Sequence, residues 1–204
     1  MSDASLPILY GARESGHAYK VKLAASLLSI AHEYREVDLR VPLGERRRDF
    51  REASVFGEVP AWVEGDRTLV QSNAILLHLA RRAGRFGADD GDRVTQWLFW
   101  EANRIGFSVP NLRHALRFAK DTPREVVRWL RARAEKDLAR LDLELTDQSF
   151  VLGAECSVVD VACCAYLFWA DQADLDLSAW PSVERWLDRL RGLPGWGAPY
   201  DLLR

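Results

Sequence analysis

GEVPAWVEGDRTLVQSNAILLHLA, residues 57 to 80, places a proline between two apolar residues, then a tight turn, then a polar triplet that opens an apolar helix. Two short apolar runs, Ala61 to Val63 and Thr68 to Val70, flank Glu64-Gly65-Asp66-Arg67, whose turn chemistry predicts a β-hairpin. Ile75, Leu76, Leu79, Ala80 and Ala83 then recur at helical spacing. Proline cannot donate to a sheet ladder, so Pro60 marks an edge or a turn. There the N–H and C=O of Val59 could pair with the backbone of a bound peptide, or Pro60 could simply turn the chain. Gln71 and Ser72 open the helix, where unpaired N–H groups and the positive dipole end favour a carboxylate. Ser72 could equally be a plain N-cap.

Working outward toward the N-terminus, Ile8-Leu9-Tyr10 reads as a buried strand ending at Gly11. Val21, Ala24, Leu28 and Ala31 give a helix within residues 17–31, Tyr34 to Leu39 alternates as a second strand, and VPLGERRRDFREAS supplies a polar helical crossover. The order β-α-β-α-β-β-α predicts an α+β chain beginning with a thioredoxin-like domain, a mixed four-stranded sheet with helices, over residues 1–84.

GRFGADDGD then reads as a linker, and residues 92–204 as an all-helical domain. Val126, Leu130, Ala134, Leu138, Leu141 and Leu145 step by three or four along a long amphipathic helix. Val158 to Trp169 is apolar nearly all round and predicts a central buried helix, introduced by the Ser157-x-x-Asp160 capping box. Val183, Trp186, Leu187 and Leu190 mark a further amphipathic helix.

Composition narrows the function. The net charge of −2, with acids and bases interspersed, offers no field for nucleic acid or anionic lipid. Arg46-Arg47-Arg48 is bracketed by Glu45 and Asp49, as on a solvated helix face. Cys156, Cys163 and Cys164 share one apolar segment without a CxxC spacing, and the four histidines form no ligand pair, so no metal site is expected. MSDASLPILY has no basic region leading into an apolar one, and no apolar run approaches the ~20 residues of a membrane span. A soluble, cytoplasmic protein is the expectation.

The Val-Pro turn, the hairpin of fixed length and the polar helix start, together with LYGARESGHAYKVKL after the first strand and SVVDVACCAYLFW in the helical half, resemble the glutathione transferases across essentially the whole chain. The resemblance implies that Gln71 and Ser72 hold the γ-glutamyl carboxylate of glutathione, that Val59 pairs with its cysteinyl backbone, and that the Val59–Pro60 bond is cis. It also implies a thiolate-stabilising donor at the first helix's N-terminus, a segment without cysteine here. Ser15 is the candidate donor; His17 departs from the small amide expected at its position, which leaves the role between these two, while Tyr10 sits inside the strand and packs. Trp97, Trp100, Asn103, Arg104, Phe107, Asn111 and Arg113 fall on the first long helix of the second domain, which in the family walls the electrophile pocket and the dimer interface. Asn103 and Arg113 are its polar candidates for the pocket. The implied protein is a homodimeric glutathione transferase acting on a small, largely apolar electrophile, with glutathione as co-substrate. The alternatives are a glutathione-dependent peroxidase or disulfide reductase, and a non-catalytic interaction protein of the same fold.

Overall fold

The computed structural model describes residues 5–87 and 91–204. The chain divides into two compact units: one runs to Arg85 and takes back Pro194–Arg204, and the other is Phe86–Leu193. The expected first domain therefore gains the C-terminal segment, and residues 88–90 of the expected linker lie outside the described residues.

In the first unit, β1 (Ile8–Gly11), α1 (Gly16–Leu27), β2 (Glu33–Glu36), α2 (Arg48–Ala53), β3 (Ala61–Glu64), β4 (Arg67–Val70) and α3 (Ser72–Ala83) follow in the expected order. The sheet order is β2-β1-β3-β4, with β1 parallel to β2 and antiparallel to β3. Leu9 and Trp62, partners across β1 and β3, are fully buried. Helix α1 packs on the C-terminal end of β1, and a Cβ on Gly11 would come within 2.7 Å of the Tyr34 ring. Glycine is required there by close approach rather than by its dihedral angles.

Helix α3 buries Ile75, Leu76, Leu79 and Ala80 and stops at Gly84, whose left-handed φ of 60° lets its N–H reach the Ala80 and Arg81 carbonyls. Glu64 ties the hairpin to the same helix, accepting from Arg82 and lying 2.8 Å from His78 Nε2. The C-terminal half of α3 is thereby held against the hairpin turn.

The last residues form α9 (Pro199–Leu202), which packs on α1. The Tyr19 hydroxyl donates to the Gly197 carbonyl at 2.9 Å, and Ser26 Oγ to that of Gly195 at 2.6 Å. Tyr200 donates to Glu14 at 2.9 Å.

The second unit is helical. The aromatic-rich segment expected as one helix is two, α4 (Gly91–Asn103) and α5 (Ile105–Arg117), because Arg104 leaves helical geometry at φ −117°, ψ −104°. The long helix α6 (Arg124–Glu144) buries Leu130, Ala134, Leu138 and Leu141 as its periodicity predicts. Every residue of α7 (Val158–Cys164) is buried, but the regular helix ends at Cys164 and the chain continues as 3-10 turns through Ala173. The Ser157–Asp160 capping box is formed, and Asp160 also accepts from Val151 N–H and from Trp186 Nε1 on α8 (Pro181–Arg191). No helix among the described residues is long and apolar enough to cross a membrane.

Candidate functional site

The strand register gathers the candidate residues of the first unit. Tyr10 pairs with Ala61, and Ala61 pairs with Val70, so the three stand side by side across β1, β3 and β4. The chain leaves Tyr10 toward Ser15, enters Ala61 from Val59-Pro60, and leaves Val70 into Gln71-Ser72. All three segments therefore emerge at one end of the sheet, although they are separated by up to 57 positions in sequence.

Val59–Pro60 is a cis peptide, as expected. Neither the N–H nor the C=O of Val59 takes part in a hydrogen bond among the described residues. A backbone donor and acceptor at the approach to β3 are thus open to an extended ligand.

Gln71 holds φ 68° and ψ 113°, a region that residues with a Cβ rarely occupy. Its side chain does not cap α3 but points to Glu58, with Nε2 3.3 Å from Oε2. The first N–H groups of α3 consequently have no side-chain cap, and Ser72, at the first helical position, is buried with its hydroxyl unbonded among the described residues. Ser72 is therefore not the N-cap; Gln71 stands in that place without performing the function.

Sequence reading missed Lys20. It is fully buried on α1, and its Nζ donates to Asn73 Oδ1, at the second position of α3, at 2.8 Å. The signal was present: Gly16, Lys20 and Ala24 repeat every four residues along a buried face, where a lysine is out of place unless its head has an assignment. Its ammonium adds to the positive end of the helix dipole, so the start of α3 favours a carboxylate twice over.

Ser15 is the N-cap of α1, its Oγ accepting from Ala18 N–H at 3.1 Å. The cap uses one acceptor lone pair and leaves the hydroxyl proton free to donate. His17, the second residue of α1, is half-buried with Nδ1 away from solvent, and burial, then the nearby Lys20 charge, holds its pKa down to about 3. The imidazole is neutral near pH 7 and supplies no positive charge. Tyr10 packs as expected: it is buried, its ring lies 5.8 Å from that of Phe50, and its hydroxyl accepts from Arg35. Burial raises its pKa.

In the helical unit the two pocket candidates separate. Arg113 is buried, donates to Gln172 Oε1 at 2.9 Å and lies 4.6 Å from the centre of the Trp169 ring. It is a packing residue of its own unit. Asn103 is exposed at the end of α4, where its carbonyl accepts from Arg133. Cys163 and Cys164 are buried, as packing residues should be, and Cys156 is half-buried with its thiol pushed well above its ordinary pKa by burial.

A thioredoxin-like sheet with an open peptide edge and an uncapped helix at one end, on a chain that is otherwise helical, defines the class. The chain belongs to the glutathione S-transferase family: residues 9–87 match the family's N-terminal domain and residues 60–189 its C-terminal domain. Its solved likenesses include a possible glutathione S-transferase from Rhodopseudomonas palustris, 30% identical over 96% of this chain and 98% of that one with a TM-score of 0.86. A glutathione S-transferase from Pseudomonas fluorescens is 28% identical over 96% and 99%, with a TM-score of 0.85. Among curated relatives, the disulfide-bond oxidoreductase YfcG of Escherichia coli is 25% identical over 94% of this chain and 93% of its own. A probable maleylacetoacetate isomerase of Vibrio cholerae is 28% identical, covering 92% of each.

Proposed function

We propose that the protein is a cytoplasmic glutathione transferase, which binds glutathione at the shared end of β1, β3 and β4 and adds its thiolate to a small, largely apolar electrophile. The observation that carries this reading is the register that aligns Tyr10, Ala61 and Val70. It brings a free peptide edge, a carboxylate-favouring helix start and a hydroxyl donor to one place.

In this reading the γ-glutamyl carboxylate takes the N–H and hydroxyl of Ser72, with Gln71 and the buried Lys20 beside it. The cysteinyl backbone pairs with Val59, next to Pro60. The Ser15 hydroxyl donates to the sulfur at the positive end of α1 and stabilises the thiolate. The sulfur lone pair then forms the new S–C bond while a leaving group departs or an activated double bond takes up a proton. The attacking sulfur in this reading is glutathione's own, residues 1–85 and 194–204 of the first unit containing no cysteine. Catalysis consists of thiol ionisation and proximity.

The likeness to a disulfide-bond oxidoreductase supports a second reading, in which the same thiolate attacks a disulfide and a second glutathione completes the reduction. Calorimetric titration with glutathione, followed by assays with an activated haloarene and with a mixed disulfide, tests the site and separates the acceptors. Ser72→Ala should weaken glutathione binding by about 1–3 kcal/mol, the scale of a lost hydrogen bond to a charged group. An unchanged affinity removes the carboxylate from α3. Turnover of the disulfide but not the haloarene selects the second reading, and binding without turnover of either makes the protein a non-catalytic member.

A further inference from the structure

The three consecutive arginines expected on a solvated face do not behave alike. Arg47 pairs with Asp49 and Arg48 with Glu52, both arginines being exposed. Arg46 is half-buried and spends its guanidinium on backbone instead. Its Nε donates to the Val41 carbonyl at 2.9 Å, its Nη2 to that of Leu39 at 3.0 Å and its Nη1 to that of Gly57 at 3.0 Å. Leu39 and Val41 lie in the connection from β2 to α2, whereas Gly57 lies in the connection from α2 to β3, just before Glu58 and Val59. One planar charged fork thus joins two loops, a task that the point charge of a lysine could not perform.

The same turn is gripped from the end of α2. Ser54 is buried there, and its hydroxyl accepts from the Glu58 N–H at 3.0 Å and donates to the Glu58 carbonyl at 2.7 Å. Its own carbonyl accepts from the Gly57 N–H at 2.9 Å. Gly57 holds φ 67°, and a Cβ there would meet the Leu43 side chain at 2.7 Å, so the 3-10 turn Leu43–Glu45 lies directly on it. Every backbone N–H and C=O of Gly57 and Glu58 is therefore engaged. At the next residue this stops: Val59 makes no backbone hydrogen bond among the described residues, while Pro60 beyond it is buried. An unbonded loop residue ordinarily has to be ordered by whatever binds it, at an entropic cost. Anchored neighbours on both sides remove most of that cost.

We propose that Arg46 and Ser54 are positioning residues of the glutathione site, which fix Gly57 and Glu58 so that the Val59 edge holds its binding conformation before the ligand arrives. The inference rests on the reading of Val59 as the partner of the cysteinyl backbone. Arg46 acts through the Gly57 carbonyl and Ser54 through Glu58, and neither touches a ligand atom.

Two ligands titrated calorimetrically into the full-length protein test this: glutathione, and glutathione N-methylated at the cysteinyl amide, which lacks the N–H that the Val59 carbonyl would accept. The wild type should bind glutathione about tenfold more tightly than the methylated ligand, the scale of one hydrogen bond. Arg46→Lys keeps the charge and loses the fork, so it should bind glutathione about tenfold more weakly but the methylated ligand with much less loss. Ser54→Ala should follow the same pattern. Loss of both ligands by the same factor would make Arg46 and Ser54 merely structural, and variants that bind both as the wild type does would overturn their role while leaving the glutathione site in place. A wild type that fails to bind glutathione would remove the site itself, and the positioning role with it. Amide hydrogen exchange on the wild type decides the matter even where neither variant folds. The Gly57 and Glu58 amides should be protected without ligand and unchanged by it, and the Val59 amide should slow only with glutathione bound. Protection of Gly57 and Glu58 that arises only with glutathione would mean that the ligand forms the edge, and would overturn the proposal.

Discussion

A serine hydroxyl can accept and donate at once, and among the described residues Ser15 uses its accepting capacity, toward Ala18 N–H. His17 is neutral above its depressed pKa of about 3, so it cannot offset a thiolate's charge at neutral pH. In the glutathione complex, Ser15→Ala should therefore raise the thiol pKa and move the alkaline-rising limb of the rate profile to higher pH, with little loss of glutathione affinity. His17→Asn should leave that limb in place. A limb that follows His17 rather than Ser15, read from kcat against pH, would reverse the two roles. At this scale the sequence disclosed the residues whose types are unusual for their setting: a proline before a strand, and polar residues opening an apolar helix. Lys20 escaped because a long charged side chain on a helix is ordinarily solvated, and only its stripe-mates reveal that it is buried. The burial of Arg113 against Gln172 and Trp169 was not legible either, because helical spacing tells which residues share a face but not what that face meets.

At the scale of elements, α3 begins under a constraint. A residue with a Cβ at φ 68°, ψ 113° sits about 1–3 kcal/mol above its preferred conformations, and the β4 and α3 packing holds Gln71 there. Gln71→Ala and Gln71→Gly both delete the contact with Glu58, but only glycine relieves the dihedral cost. Denaturant unfolding should find the glycine variant more stable than the alanine one by about 1 kcal/mol. Equal stabilities would mean that the backbone is not held against its preference. The strands, hairpin and long helices were legible because period and turn chemistry agree over each of them. The break at Arg104 was not, since no Gly or Pro stands at that position and the apolar period continues into α5. The ending of regular helix at Cys164 was hidden for a related reason: a segment that is apolar all round has no period to interrupt.

At the scale of the molecule, the return of Pro194–Arg204 to the first unit could not be read locally. It rests on hydrogen bonds such as Ser26 to Gly195 and Tyr19 to Gly197, which span well over a hundred residues. A Cβ on Gly195, at φ 90°, would meet the Ser26 carbonyl at 2.8 Å, so the segment's close approach depends on glycine. Assembly belongs to this scale too. Phe99 is 74% exposed on α4 and Phe107 39% exposed on α5, so the aromatics of this region do not all turn inward. A two-fold dimer covering them would bury more than about 1,000 Å² and could present Asn103 to the partner's glutathione. Light scattering at micromolar concentration should give twice the mass of one chain; the mass of a single chain would remove any contact across subunits.

If one end of the first unit's sheet holds glutathione as proposed, a crystal structure of the protein soaked with glutathione will show the ligand there. The expected density places the γ-glutamyl carboxylate within hydrogen-bonding distance of the Ser72 N–H and hydroxyl, the cysteinyl backbone against Val59, and the sulfur beside the Ser15 hydroxyl. Glutathione bound elsewhere, with the start of α3 and the Val59 edge left unoccupied at saturating ligand, would contradict it.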